Sequence, residues 1–174
     1  MTKRVLALLI PLLLAGCGLR PLYAGGGNGS AAQTLTMVQV DPVPGKAGWL
    51  IHNALVDRLG NRGGTPRYRL TVELDDQVTG FGVRGDNAIT RERRTLRARF
   101  KLFDATGKQS DAPLLDATAG SDVGIDVVNS EYATVAAEQT ALERLSETVA
   151  DQIVSRLAIF AREVNKDQSG GKTP

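Results

Sequence analysis

The sequence predicts an α+β fold: a two-layer sandwich in which a four-stranded mixed sheet carries two helices packed on one face, in the order β-α-β-β-β-α. Three observations carry that prediction. In Tyr68-Arg69-Leu70-Thr71-Val72-Glu73-Leu74 the even positions are apolar and the odd ones polar, the period of a strand with one buried and one wet face. The same parity returns in Leu96, Ala98, Phe100 and Leu102 against Arg97, Arg99 and Lys101. Near the C-terminus, Leu142, Leu145, Val149, Ile153, Leu157, Phe160 and Val164 recur at spacings of three and four, an apolar stripe along about six helical turns. A sheet with one apolar face and amphipathic helices bury those surfaces against each other.

The first residues read differently. Lys3 and Arg4 precede an apolar run over residues 5–14, interrupted by Pro11, and Leu14-Ala15-Gly16-Cys17 follows. A charged head, a short apolar middle and small residues at the cut are the layout of a secretory signal peptide. The run is about half the ~20 residues that a membrane-spanning helix needs. Leu-Ala-Gly-Cys resembles the lipobox of bacterial lipoproteins, in which the cysteine thiol is alkylated by a diacylglycerol and becomes the new N-terminus. A thiol suits that step because its thiolate is a strong nucleophile. Residues 1–16 are therefore expected to be a signal peptide and Cys17 the lipidation site. Residues 17–32 are expected to be an acylated, flexible tether, rich in Gly25-Gly26-Gly27-Asn28-Gly29-Ser30. A phosphate-binding loop is a poor reading of these glycines, since no strand precedes them and no Lys-Ser/Thr follows. The α+β domain should span residues 33–165, and residues 166–174 read as a polar, disordered tail.

Charge and cysteine count narrow the function. The whole chain carries 21 basic and 19 acidic side chains, net +2. Removing Lys3 and Arg4 with the signal leaves 19 against 19, so no global attraction to nucleic acid is expected. Cys17 is the only cysteine, which excludes a disulfide framework and a multi-cysteine metal site within the chain.

Within the domain, Leu35-Thr36-Met37-Val38-Gln39-Val40 alternates like a strand, and Pro42 and Pro44 end it. Residues 46–59 turn helical, with Ile51, Leu55 and Leu59 four apart, and Gly60 supplies the stop. The strand of residues 68–74 leads to a glycine-rich connection over residues 79–87, and the returning strand covers residues 89–103. After Asp104-Ala105-Thr106-Gly107 a weaker strand is expected over residues 114–123. Asn129 or Ser130 is a candidate N-cap for the terminal helix. The first two strands are joined through a helix and can lie parallel in an otherwise antiparallel sheet.

Catalytic chemistry finds little support. His52 is the single histidine, sits in a helical stretch, and has no Gly-x-Ser-x-Gly turn to serve. The acidic positions Asp75, Asp76, Asp122 and Asp126 fall at turns or strand ends, where such residues form turns, and no His or Cys accompanies them as a metal ligand. No catalytic residue, metal or cofactor is expected. The basic strand is the stronger candidate. Between residues 84 and 101 lie Arg84, Arg91, Arg93, Arg94, Arg97, Arg99 and Lys101 against Asp86 and Glu92, a local net of +5. Alternation projects five of them from one face, about 7 Å apart along the strand. Arg67 and Arg69 extend the patch on the partner strand. Arginine forks suit phosphate, whereas the scarcity of interleaved aromatics disfavours nucleic acid. A solvated face with cross-strand pairs, such as Glu73 to an arginine, is the competing reading.

The lipobox, the following Gly18-Leu19-Arg20-Pro21-Leu22-Tyr23, the Thr90-Arg91 pair after the hairpin turn, the element order and the long last helix with Ile153-Val154-Ser155-Arg156-Leu157 resemble the LptE family of lipopolysaccharide-assembly lipoproteins. The resemblance implies a lipid-anchored outer-membrane protein, on the periplasmic side or within the lumen of its partner. That partner would be an LptD-like β-barrel, which it plugs and helps to assemble. It further implies lipopolysaccharide binding through basic residues near the second hairpin, matched here by Arg84 and Arg91, with Arg93, Arg97, Arg99 and Lys101 continuing the row. A basic residue that some members carry near the start of the last helix has no counterpart, since residues 130–140 contain no Lys or Arg. Gly18 stands where aspartate commonly retains such lipoproteins in the inner membrane, and several acyl chains on one N-terminus give stable anchoring. The alternative is an accessory module of another envelope transport system.

Overall fold

The computed structural model describes residues 29–60, 63–83, 89–107, 112–127 and 130–170. The signal peptide, Cys17 and most of the expected tether lie outside the described residues, as do Arg84 and residues 171–174. The elements run α1 (Ser30–Leu35), β1 (Val38–Val40), α2 (Gly45–Leu59), β2 (Tyr68–Val83), β3 (Ile89–Asp104), β4 (Leu115–Asp126) and α3 (Glu131–Gly170). One sheet, in the order β1-β2-β3-β4, is parallel between β1 and β2 and antiparallel elsewhere. The mixed four-stranded sheet and the α+β class are as the sequence predicts.

The inner face of the sheet is built from the predicted parity. Leu70, Leu96, Phe100 and Leu102 are fully buried beneath Ile51, Leu55 and Leu59 of α2 and Val149, Ile153 and Leu157 of α3. Burying side chains of this size contributes roughly 1.5–3 kcal/mol each, so this layer is what holds the two helices to the sheet. Tyr68 meets Phe160 edge-on, with ring centroids 6.0 Å apart. Gly60 closes α2 in the left-handed region at φ 65°, and its N–H bonds the Val56 carbonyl, a backbone state that costs glycine little. Ser130 caps α3, its Oγ accepting from the Ala133 N–H at 3.4 Å.

Four boundaries differ from expectation. Among the described residues there are three helices, the extra one being α1, which takes residues 30–32 of the expected tether and Leu35 of the expected first strand. Docking explains it: Thr34 and Leu35 are buried, and Asn165 Nδ2 donates to Thr34 Oγ1 at 3.2 Å. The first strand shrinks to three residues as a result. β2 runs on to Val83, because β3 pairs with it without a break from Tyr68↔Asp104 to Phe81↔Arg91; ladder bonds override the weak strand preference of the glycines there. β4 likewise continues to Asp126 on its β3 register. The last helix extends to Gly170, so residues 166–170 are helical where a disordered tail is expected.

Candidate functional site

The candidate site is the outer face of β3. Alternation along the strand places Arg91, Arg93, Arg97, Arg99 and Lys101 on the side opposite Leu96, Ala98, Phe100 and Leu102, and no helix covers that side of β3 among the described residues. The structure therefore brings five of the six basic candidates into one row. Arg84, the sixth, lies outside the described residues.

The register sets what each cation meets. On β4 the outer-face partners of Arg91, Arg93, Thr95, Arg97, Arg99 and Lys101 are Asp126, Gly124, Asp122, Gly120, Thr118 and Asp116. On β2, Glu73 stands opposite Arg99 and Asp75 opposite Arg97. Five cations on β3 thus face five carboxylates from the flanking strands, and the positive balance of residues 84–101 is offset in the folded sheet. Three aspartates are engaged. Arg91 Nε reaches Asp126 Oδ1 at 2.8 Å, Arg93 Nε reaches Asp122 Oδ2 at 3.5 Å, and Arg99 forks onto Asp116 at 3.1 and 2.8 Å. The Arg99 guanidinium holds the Asp116 carboxyl below the usual carboxylate range, with Lys101 adding to the effect. Arg93 also lies 5.5 Å over the Phe81 ring. The expected Glu73–arginine pair has its register, but Arg99 turns to β4 instead.

Arg97 and Lys101 make no ion pair among the described residues. Arg97 sits in a shallow depression lined by Glu73, Asp75, Thr95, Arg99, Thr118 and Gly120. A Cβ on Gly120 would come within 3.2 Å of both Arg97 Cγ and the Leu96 carbonyl oxygen, so the glycine leaves room for the arginine stem to lie against the strand. Arg69 belongs to the same face, bonded to Asp41 at 3.3 Å and lying 5.1 Å over Phe103.

Arg94 has the opposite parity and a different surrounding. It forks onto Asp76 at 2.9 and 2.6 Å and donates to the Glu138 carbonyl of α3 at 3.1 Å. Its neighbour Glu92 faces the same way, with a buried Oε2 that has no hydrogen-bond partner among the described residues. Burial, and then the Glu138 carboxylate, push the Glu92 carboxyl up. Neither residue was among the site candidates; the parity that separates them from the outer row was nevertheless visible in the sequence. Asp76, Asp122 and Asp126, weighed there as turn formers, prove to be ion-pair partners. Among the described residues no group of three His, Cys, Asp or Glu side chains is placed to hold a metal. His52 is half-buried on α2, and among the described residues no helix is long and apolar enough to cross a membrane.

Comparison with known proteins agrees with this architecture. The family model described as LptE, lipopolysaccharide-assembly, matches residues 32–157. The fold is similar to that of a candidate lipoprotein from Caulobacter crescentus CB15, at 24% identity and a TM-score of 0.63, covering 76% of this chain and 96% of that one. It is also similar to rare lipoprotein B from Shewanella oneidensis, at 14% identity and a TM-score of 0.51, covering 75% and 96%. A sequence comparison with curated proteins finds no match.

Proposed function

The chain belongs to the LptE family of lipopolysaccharide-assembly proteins, and from that membership we propose that it is a lipid-anchored outer-membrane component of lipopolysaccharide export. It plugs and helps to assemble an LptD-like β-barrel, and it binds lipopolysaccharide phosphates through the outer face of β3. Acyl chains on Cys17 hold it to the membrane, and its part in the process is binding and assembly rather than catalysis.

The observation that supports the ligand half is the pair of cations that make no ion pair among the described residues, Arg97 and Lys101, at the centre and end of the basic row. A phosphate arriving at Arg97 meets a fork that holds no carboxylate among the described residues. Arg91, Arg93 and Arg99 can then be recruited, because exposed arginine–aspartate pairs are held weakly and exchange one anion for another at little cost. The five flanking carboxylates serve the same reading in the opposite sense, since they keep the face from attracting every polyanion indiscriminately.

The test is binding of lipopolysaccharide aggregates to the folded protein carrying Arg97→Glu with Lys101→Glu. Affinity should fall by about 10-fold or more, and its dependence on salt should flatten. Unchanged binding by a folded double variant contradicts the ligand half. Recovery of the native protein from membranes without any barrel partner contradicts the plug, and an N-terminal peptide lacking acyl chains contradicts the anchor.

A further inference from the structure

We propose that the outward edge of β2 is a docking site for an extended polypeptide segment, added as a further strand, with basic and apolar residues in alternation. The site is a surface for protein, and it borders the β3 face through Glu73 and Asp75.

The edge exists because β1 is so short. β1 pairs only Val38, Gln39 and Val40 with Tyr68, Arg69 and Leu70, whereas β2 continues to Val83. The bonds of the Tyr68 N–H to Met37 and of the Asp41 N–H to the Leu70 carbonyl show that even residues of β2 direct their backbone groups to this side. By the alternation of a strand, Val72, Leu74, Asp76, Val78 and Gly80 present theirs the same way. Among the described residues no strand covers them. A row of unpaired N–H and C=O groups of that length is a template for another chain.

The opposite edge of the sheet shows what a protected edge looks like in this protein. β4 is blunted at its centre, where the Gly120 N–H donates to Gln152 Oε1 at 3.1 Å and Gln152 Nε2 donates to the Gly120 carbonyl at 3.3 Å. Its aspartates at 116, 122 and 126 are bound to arginines of β3. The β2 edge has no such side-chain cap among the described residues.

Side chains select the occupant. On the outer face, Glu73 and Asp75 stand two residues apart on the edge strand, and neither makes an ion pair among the described residues. Among the described residues Asp75 accepts from the Gln77 amide alone, at 3.0 and 3.2 Å. A strand laid beside them with Lys or Arg at alternate positions places a cation opposite each. On the inner face the same stretch presents Leu74, half-buried, then Asp76, already held by Arg94, then Val78, 46% exposed, which favours apolar residues opposite Leu74 and Val78. Main-chain bonds supply the affinity and this alternation supplies the selectivity.

The experiment uses the full chain and a fluorescently labelled synthetic peptide of alternating leucine and arginine. Binding is followed by anisotropy, and amide hydrogen exchange is read residue by residue. Expected are saturable binding and slowed exchange at Leu74, Asp76 and Val78. Glu73→Lys with Asp75→Lys should weaken binding by about 10-fold or more. Val78→Pro should weaken it too, since it removes an outward N–H while leaving the β2–β3 bonds in place. As a check that needs no variant, methylating the peptide's alternate amides on one edge should abolish binding, and methylating the other set should not. Equal affinity for both methylated peptides, equal affinity for a peptide of the same composition in blocks, or slowed exchange elsewhere than β2 would overturn the proposal. So would protection of these amides before any peptide is added, which would assign the edge to the chain's own N-terminal residues.

Discussion

Arg94 and Arg99 lie five residues apart on the same strand, and each forks onto an aspartate of a neighbouring strand, yet they belong to different worlds. Arg94 faces the helices; its side chain is 13% exposed, that of Asp76 is 24% exposed, and it also holds the Glu138 carbonyl of α3. Arg99 faces solvent, at 55% exposure, with no helix across from it among the described residues. The inner pair has lost water on most sides and ties β2, β3 and α3 together. The outer pair can trade its aspartate for water or another anion at any time. Identical chemistry is structural on one face and exchangeable on the other, so counting arginines along β3 overstates the number free to meet a ligand.

The sharpest way to break the comparison is Arg94→Ala. It leaves Asp76 without its donor in a semi-buried setting and removes the second bond to the Glu138 carbonyl, which keeps its helical one. The fold should lose about 2–3 kcal/mol, read by denaturant unfolding. A loss no larger than that of an outer-row variant would mean that the two faces are equivalent after all. Next in size is Glu92, on the inner face beside Glu138. Its carboxyl is held above the usual range by burial and by Glu138, so the folded state keeps a proton that the unfolded chain has released. Stability should therefore be greatest below the ordinary carboxylate value and fall as pH rises toward the raised one. Glu92→Gln should flatten that slope and raise the unfolding midpoint at neutral pH; an unchanged slope would remove the carboxyl pair from the account. The smallest effect belongs to the outer pair. In a double-mutant cycle of Arg99→Ala and Asp116→Ala, the coupling should be barely measurable at low salt and absent at high salt. Asp116 is held below the usual range, so what coupling exists should persist above the ordinary carboxylate value and vanish as pH falls through the lowered one.

The edges of the sheet repeat the lesson. The alternation of β2 was plain from Tyr68 to Leu74, but its continuation to Val83 was masked by Gly80 and Gly82, which read as turn. Leu35 opened a segment that read as a strand, yet it lies in α1, because burying it beside Thr34 against α3 outweighs a six-residue local signal. The row of Arg91, Arg93, Arg97, Arg99 and Lys101 could be read directly, since side-chain parity is a property of the strand alone. Its neutralising partners could not. Asp116, Asp122 and Asp126 reach it only through a register set after the intervening residues 105–114, and no periodicity within either strand specifies that offset.

The sequence by itself determined the class of the fold, the inner and outer faces of β2 and β3, the stripe of α3, and the glycine that ends α2, because each depends on residues a few positions apart. Only the tertiary structure decided which arginines have partners, that Arg97 lies over Gly120 rather than an aspartate, and that β1 leaves most of β2 uncovered. Those outcomes depend on how separate segments are aligned, and alignment is chosen by the whole core at once: Phe100 and Leu102 must meet α2 and α3, and every charge on the far side of β3 follows from where they settle.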